Sequence, residues 1–367
     1  MKRLTYISKF SRPLSREEVE SIGQVSSRNN QKANITGILL CSGGIFFQIL
    51  EGEEEVVDPL YEKILKDDRH TDIFCLKNEP QISEREFPDW SMKTFILDEN
   101  TDLLIKPIKS LLQTLSTSQL ILAKYTQPTI LEIIKSGINP LKVAPKLVEK
   151  IIMFCDICSF STLSEKLPPE QVVLLLNEFF SAVTEIITVR GGEVTKFMGD
   201  CAMAYFDSDR ADDAIQASLD ILKEMERLRK SAPEGNALRV LYAGIGLAKG
   251  KVIEGNIGST IKKDYTIIGD AVNVASRLEA LTRKLSRSLL FDSDVKNSAK
   301  VSWNFLALGD FNLKGKEQLT AIYSLENALT ILKIDEIKRA ISLSNYPRNL
   351  SPSASGASHI CKYTDEL

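Results

Sequence analysis

The chain has 367 residues, which at about 150 residues per domain points to two domains, or three. Hydrophobic residues make up 43% and charged residues 26%, which excludes a disordered or collagen-like chain and leaves apolar material for a core in each domain. The 46 Lys plus Arg against 49 Asp plus Glu leave a net charge of −3, so whole-molecule charge argues for neither nucleic acid nor an anionic membrane as a partner. In chain order, Leu4 to Ser8 is a strand-like run with Tyr6 near its centre. Ser15 followed by Glu18 is a capping-box signature, and Val19, Ile22 and Val25 continue at helical spacing. Thr36 to Cys41 and Ile45 to Glu51 read as strands joined by the Ser42-Gly43-Gly44 turn. Val56 to Lys66 follows as an amphipathic helix, then Ile73 to Lys77 and Met92 to Leu97 as strands. The order βαββαββ predicts a ferredoxin-like split sheet with helices on one face.

Leu103 to Leu122 carries Leu and Ile at helical spacing, and Pro128, Gly137, Pro140 and Pro145 break the chain after it. This segment, 98–147, is read as the domain connection. Its helix is either a stiff, signal-transmitting linker that can pair with its own copy, or a helix packed on its own sheet. A second α/β unit follows over 148–326. Lys150 to Cys155 is a strand, Pro169 to Val189 a helix, and Glu193 to Met198 and Cys201 to Phe206 are strands linked by Gly199-Asp200. Asp213 to Leu228 is a helix, and Val240 to Leu247 and Lys251 to Ile257 are expected as two strands joined through Gly250. Asp270 to Leu285 is a helix, Trp303 to Leu308 and Thr320 to Leu325 are strands, and residues 328–343 form one more helix. From Ser344 onward Ser, Pro and Gly dominate, so 327–367 is expected to be a terminal helix and a disordered tail. The fold class is therefore α+β, with two ferredoxin-like split-βαβ domains joined by a helical linker.

No apolar run reaches the roughly 18 residues that span a bilayer, and Met1-Lys2-Arg3 leads into a strand rather than a secretory segment. Six scattered cysteines read as reduced thiols of a cytoplasmic protein. With only His70 and His359, a multi-His metal site within one chain is excluded. Cys155-Asp156-Ile157-Cys158 has Cys-x-x-Cys spacing, but it closes an apolar strand rather than opening a helix, which disfavours redox chemistry.

Polar residues inside apolar strands carry the first functional signal. Tyr6 lies mid-strand, and Gln48 interrupts Phe46-Phe47-Gln48-Ile49-Leu50. Two such side chains satisfy each other, or line a heteroaromatic ligand with several hydrogen-bonding edges. Tyr6, Asn30, Gly44 to Gly52, Asp67-Asp68-Arg69-His70 and Phe87 to Met92 together resemble a BLUF domain over residues 1–97. That resemblance implies a blue-light sensor holding a non-covalent flavin, FAD or FMN. It implies that Tyr6 is the electron donor, that Gln48 rearranges its hydrogen bonds, and that Asn30 holds the polar edge of the ring. Asp67, Arg69 and His70 would be further flavin contacts. Trp90 and Met92 would report the rearrangement, with the inward-facing one of the two left open.

Two aspartates carry the second signal. Asp156 stands at the exit of an apolar strand and Asp200 in a two-residue link. Taken singly, each reads as a cap or turn residue. If both strands are central in one sheet, the carboxylates converge at one edge and suit Mg²⁺ or Mn²⁺ with phosphates. Phe154 to Ser161, Gly192 to Asp200 and Asp264 to Glu279 resemble the motifs of a class III nucleotidyl cyclase. The resemblance implies that Asp156, Asp200 and the Ile157 carbonyl hold two divalent ions, and that Arg277 stabilises charge on the phosphate while Asn273 positions the ribose. Lys314 matches the lysine that neutralises the terminal phosphates better than Lys316 does. Lys196 and Thr266 match the base-reading pair and favour ATP over GTP, with Asp264 close enough to Thr266 to compete for that role. The order of sensor and cyclase resembles bacterial photoactivated adenylyl cyclases, which implies 3′,5′-cyclic AMP and pyrophosphate as products. In that family each active site straddles two catalytic domains, which implies a homodimer.

Overall fold

The computed structural model describes residues 1–98, 105–136, 138–316 and 318–343. Leu103 at the start of the predicted linker helix, the Gly137 breaker, and the tail from Ser344 with His359 lie outside those ranges. The chain divides into two compact units on either side of the Ala144–Pro145 bond.

The first unit holds β1 (Lys2–Phe10), α1 (Arg16–Lys32), β2 (Thr36–Ser42), β3 (Ile45–Gly52), α2 (Glu54–Leu65), β4 (His70–Glu79), β5 (Lys93–Ile96), α3 (Ile105–Tyr125) and α4 (Pro128–Lys135). Helix α1 starts where the capping box predicts, with the Glu18 amide donating to Ser15 Oγ and the Ser15 amide to the Glu18 carboxylate. The sheet order is β4-β1-β3-β2-β5, antiparallel except for β5, which runs parallel to β2. Period-two alternation sorts the side chains. Leu4, Tyr6, Phe46 and Leu50 join Val19 of α1 and Val57 and Tyr61 of α2 in one core. On the opposite face Ile7, Ile45 and Phe74 pack with Leu115 and Ala123 of α3 and Leu131 of α4. The described part of the 103–122 helix, within α3, packs on its own sheet through Leu115. The structure therefore covers both faces of a sheet expected to be covered on one.

The second unit holds β6 (Lys146–Ile157), α5 (Phe160–Ser164), α6 (Pro169–Val189), β7 (Glu193–Met198), β8 (Cys201–Asp207), α7 (Ala211–Ser231), β9 (Ala243–Gly258), β10 (Lys263–Ile268), α8 (Asp270–Leu281), β11 (Leu289–Asp292), α9 (Ser293–Ser298), β12 (Phe305–Phe311), β13 (Thr320–Leu325) and α10 (Ile334–Leu343). The sheet runs β12-β13-β11-β9-β6-β8-β7, with β10 paired to β9. The portion β9-β6-β8-β7 repeats the split-βαβ order of β4-β1-β3-β2. Helices α6 and α7 pack on one face through Leu175, Phe179, Val183, Ile215 and Ile221, and α8 packs on the other through Ala271, Val274, Ala275 and Leu278. By length and composition α6 is apolar enough to cross a membrane; here its stripe Leu175, Phe179, Val183 and Ile187 is buried in the core.

Four expectations are corrected. The two strands through Gly250 are the single strand β9, because β6 pairs with it without interruption from Ala243 to Glu254. Helix α8 ends at Leu281 rather than 285, the strand predicted from Trp303 is shifted to Phe305–Phe311, and residues 328–343 split into a turn at Ala328–Thr330 and α10. Strands β10 and β11 were not anticipated.

Candidate functional site

In the first unit, register alone places Tyr6 opposite Gln48, because these residues are paired across β1 and β3. The Tyr6 hydroxyl donates to Gln48 Oε1, and Gln48 Nε2 donates to Met92 Sδ at 3.3 Å. All three side chains are buried. Burial pushes the Tyr6 hydroxyl far above the ordinary tyrosine value, so it is a proton donor here. The question left open between Trp90 and Met92 resolves in favour of Met92. Trp90 instead stacks on Phe87 with ring centroids 5.5 Å apart, its ring lies beside Lys93 and Phe95 of β5, and its carbonyl accepts from Gly37 N at 2.7 Å.

Asn30 is buried at the end of α1, and its side-chain Nδ2 has no hydrogen-bond partner. A buried, orphaned amide donor fits the polar edge of a flavin ring. The His70 ring packs on Phe46, with Nδ1 2.8 Å from Ser8 Oγ, and burial lowers its pKa. Asp67 and Arg69 engage each other at 2.5 Å, and that bond with Arg69 pulls the Asp67 carboxyl down to about 2.

In the second unit, alternation along β6 sends Ile151, Met153 and Cys155 to the α6–α7 face and Ile152, Phe154 and Asp156 to the α8 face. Asp156 pairs with Cys201 on β8, so the preceding turn sets Asp200 beside it; Gly199 makes that turn at φ +67°. The Asp200 carboxyl is held well above the usual range, first by burial and then by Asp156. Asp156 Oδ1 is buried without a partner. Two crowded carboxylates with an orphaned oxygen fit a divalent cation. No cluster of three His, Cys, Asp or Glu side chains with metal-ligand geometry occurs among the described residues. The remaining ligands would be water, a main-chain oxygen such as that of Ile157, which ends β6, and substrate phosphates.

Asn273 and Arg277 lie on α8, Asn273 exposed and Arg277 half-buried with Nη1 unpartnered. A Cβ added at Gly315 would stand 3.4 Å from Arg277 Nη2, so the Lys314–Gly315 turn lies against this guanidinium. Lys316 is bonded to Asp270, and Lys314 is the exposed lysine of the turn. Thr266 is buried on β10 with Oγ1 unpartnered, whereas Asp264 is exposed, so Thr266 has the better-placed acceptor for a base. Lys196 is half-buried on β7. Among the described residues, no hydrogen bond or ion pair joins Asp156 or Asp200 to Lys196, Thr266, Asn273, Arg277 or Lys314. Cys155 and Cys158 are buried, and desolvation raises both thiols, Cys158 to about 12, so neither is a ready nucleophile.

Residues 1–93 match the model of BLUF, sensors of blue light using FAD, and residues 144–327 match the adenylate and guanylate cyclase catalytic domain. A bacterial light-regulated adenylyl cyclase of known structure is 53% identical, superposes with a TM-score of 0.87, and is matched over 93% of this chain and 98% of its own. The chain belongs to the light-regulated adenylyl cyclases. Photoactivated adenylate cyclase subunit alpha of Euglena gracilis is 35% identical over 293 residues, which is 80% of this chain and 29% of that protein. Subunit beta of Euglena longa is 32% identical over 80% of this chain and 34% of its own length. The chain thus spans about a third of these Euglena relatives.

The residues that sequence reasoning missed in this light-regulated cyclase surround Asp156. Arg283 Nη2 donates to Asp156 Oδ2 at 2.6 Å, and Arg283 Nη1 donates to the Glu279 carboxylate. Glu279 is buried, which raises its carboxyl to about 8 against the opposing pull of Arg283. Their signal in the sequence was Gly244-Ile245-Gly246 on β9, two glycines on the face that α8 covers. A Cβ at Gly246 would lie 2.3 Å from both Ala275 O and Glu279 N.

Proposed function

We propose that this protein is a blue-light-activated adenylyl cyclase that converts ATP to 3′,5′-cyclic AMP and pyrophosphate. The observation that carries this reading is the presence, in one chain, of the buried Tyr6–Gln48–Met92 relay and the crowded Asp156–Asp200 pair. When bound, FAD or FMN supplies light absorption and an electron-accepting excited state. Tyr6 serves as the electron and proton donor, with Gln48 Oε1 holding its hydroxyl proton. Gln48 answers by exchanging the roles of its amide oxygen and nitrogen, because only one end donates and only one accepts. Met92 senses the exchange through its sulfur and passes it to the strand that follows.

When bound, Mg²⁺ or Mn²⁺, two per site, supply Lewis acidity to the ribose 3′-hydroxyl and the triphosphate. Asp156 and Asp200 would hold them. The 3′-oxygen gives up its proton to solvent water and forms a bond to the α-phosphorus as the bond to the bridging oxygen of pyrophosphate breaks. Arg277 stabilises the charge that develops on the phosphate, Asn273 orients the ribose, and Lys314 neutralises the terminal phosphates. Lys196 donates to adenine N1, and Thr266 Oγ1 accepts from the exocyclic amine. That no hydrogen bond or ion pair among the described residues joins this second set to the two aspartates supports a homodimer in which one protomer supplies the metal ligands and its partner the rest.

The test is cyclic nucleotide formation by purified flavin-loaded protein with Mg²⁺ in darkness and blue light, with ATP and GTP in parallel. Light-dependent cAMP with little cGMP is expected. Equal dark and lit rates refute light control, and absence of product with flavin bound refutes the cyclase reading.

A further inference from the structure

We propose that Arg283 is the positioning residue of the metal-binding carboxylates. Its guanidinium holds one oxygen of Asp156 and leaves the other for a divalent cation, and its charge keeps the site weakly loaded until nucleotide arrives. The proposal rests on the reading of Asp156 and Asp200 as metal ligands.

Four observations carry it. Arg283 Nη2 occupies Asp156 Oδ2 at 2.6 Å, while Asp156 Oδ1 is buried and unpartnered. The carboxylate is therefore committed by one oxygen and open at the other. The second arm of the same guanidinium is tied to the Glu279 carboxylate and, at 3.3 Å, to the Glu279 carbonyl. A planar fork bonded at both ends has little rotational freedom, so it fixes the Asp156 rotamer in a way a lysine ammonium does not.

The site is also built for this contact. Asp156 pairs with Gly244 in the β6–β9 register. A Cβ at Gly244 would stand 2.5 Å from Thr282 Oγ1 and 2.9 Å from Glu279 Oε1, so the missing side chain is what admits the end of α8 beside Asp156. Thr282 closes this end by donating from Oγ1 to the Glu279 carbonyl at 2.5 Å. Finally, Arg283 is ion-paired to both Asp156 and Glu279, and only 26% of its side chain is exposed, so little water lies between its charge and the carboxylates. A divalent ion entering beside Asp156 meets this like charge at short range, which weakens its binding. A triphosphate brings enough negative charge to reverse that balance, so ions and nucleotide load together.

The experiment measures Mn²⁺ binding to the nucleotide-free, full-length, flavin-loaded protein by electron paramagnetic resonance. Wild type is compared with Arg283→Gln, Arg283→Lys and Asp200→Asn, and thermal unfolding checks the fold of each. Arg283→Gln is expected to bind Mn²⁺ about tenfold more tightly than wild type, because the repelling charge is gone. Arg283→Lys keeps the charge and should stay within about threefold of wild type in Mn²⁺ affinity, while losing at least about tenfold in kcat through the lost fork. If Arg283→Gln does not fold, Arg283→Lys decides by that split. Unchanged or weaker Mn²⁺ binding in Arg283→Gln, or unchanged kcat in Arg283→Lys, overturns the proposal. Asp200→Asn separates the two layers: if it binds Mn²⁺ like wild type, the metal-ligand reading itself fails and the role of Arg283 fails with it.

Discussion

Replacing Gly246 with alanine tests whether the catalytic unit depends on how closely α8 approaches β9. Gly246 has an ordinary backbone conformation, so the substitution adds a methyl group without backbone strain. That methyl carbon would lie 2.3 Å from Ala275 O, 2.3 Å from Glu279 N and 3.0 Å from Glu279 Cα. All three are backbone atoms of one helix and cannot rotate away. Restoring van der Waals separation requires α8 to retreat by about 1 Å. Overpacking of this kind costs about 1–3 kcal/mol of stability, which the unit survives. The catalytic cost is larger, because Asn273 and Arg277 ride on the same helix and Arg283 follows its end. A displacement of about 1 Å in positioning groups lowers kcat about 100-fold. The assay is lit cAMP formation at saturating ATP, with thermal unfolding of the cyclase unit and the flavin spectrum as controls. Gly250→Ala is the reference, since its methyl meets only the Ala271 side chain at 3.1 Å and should cost little. Lit activity of Gly246→Ala within about threefold of wild type would show that the approach of α8 does not set the geometry of catalysis.

Tyr6→Phe removes the hydroxyl that donates to Gln48 and should bind flavin while losing the light-induced red shift; a normal shift refutes the relay. Glu51 is fully buried and accepts from Arg3 Nε at 2.6 Å, Glu86 N at 2.9 Å and Phe87 N at 3.0 Å, so it clamps the segment that leads to Trp90. Glu51→Gln should destabilise the sensor unit by about 2–3 kcal/mol, read by urea unfolding of flavin-loaded protein, and an unchanged midpoint would count against the clamp. Asp292 is pushed up to about 7 by burial. Its folded pKa lies above the unfolded value, so the native state keeps a proton that the unfolded chain releases, and stability falls as pH rises from about 4 to 7. Asp292→Asn should therefore gain stability relative to wild type across that window, by up to about 4 kcal/mol at its upper end. A pH-independent difference in unfolding temperature would refute the assignment.

How much of this was legible in the sequence depended on whether a residue violated its local pattern. Tyr6 and Gln48 stood out because they interrupt apolar strands, and the β1–β3 register then brings them face to face. Asp156 and Asp200 stood out at strand ends, and adjacency of β6 and β8 brings them together. Trp90, just before the predicted strand, and Met92, at its start, were not separable in the sequence as the inward-facing residue; the sulfur seated at Gln48 Nε2 separates them. Lys249-Gly250-Lys251 has the composition of a hairpin turn, yet β9 runs through it, because β6 offers an uninterrupted partner and Gly250 leaves room for Ala271.

Arg283 and Glu279 were invisible for the opposite reason. A Glu–Arg pair four residues apart is what an ordinary solvated helix face carries, worth a few tenths of a kcal/mol. What converts this pair into part of a site is long-range and negative: side chains absent at Gly244 and Gly246 on a strand read as plain core. The same logic holds at Gly23, where a Cβ would lie 2.3 Å from Thr94 Oγ1 and where α1 therefore rests directly on the strand that follows Met92. In both units glycines permit a close helix–sheet approach next to the reacting groups, Gly244 directly across from Asp156 and Gly23 over Thr94, two residues after Met92. They decide whether a hydrogen-bond exchange or a bound ion is felt as a sub-ångström shift of a whole element, which is the scale on which such sites work.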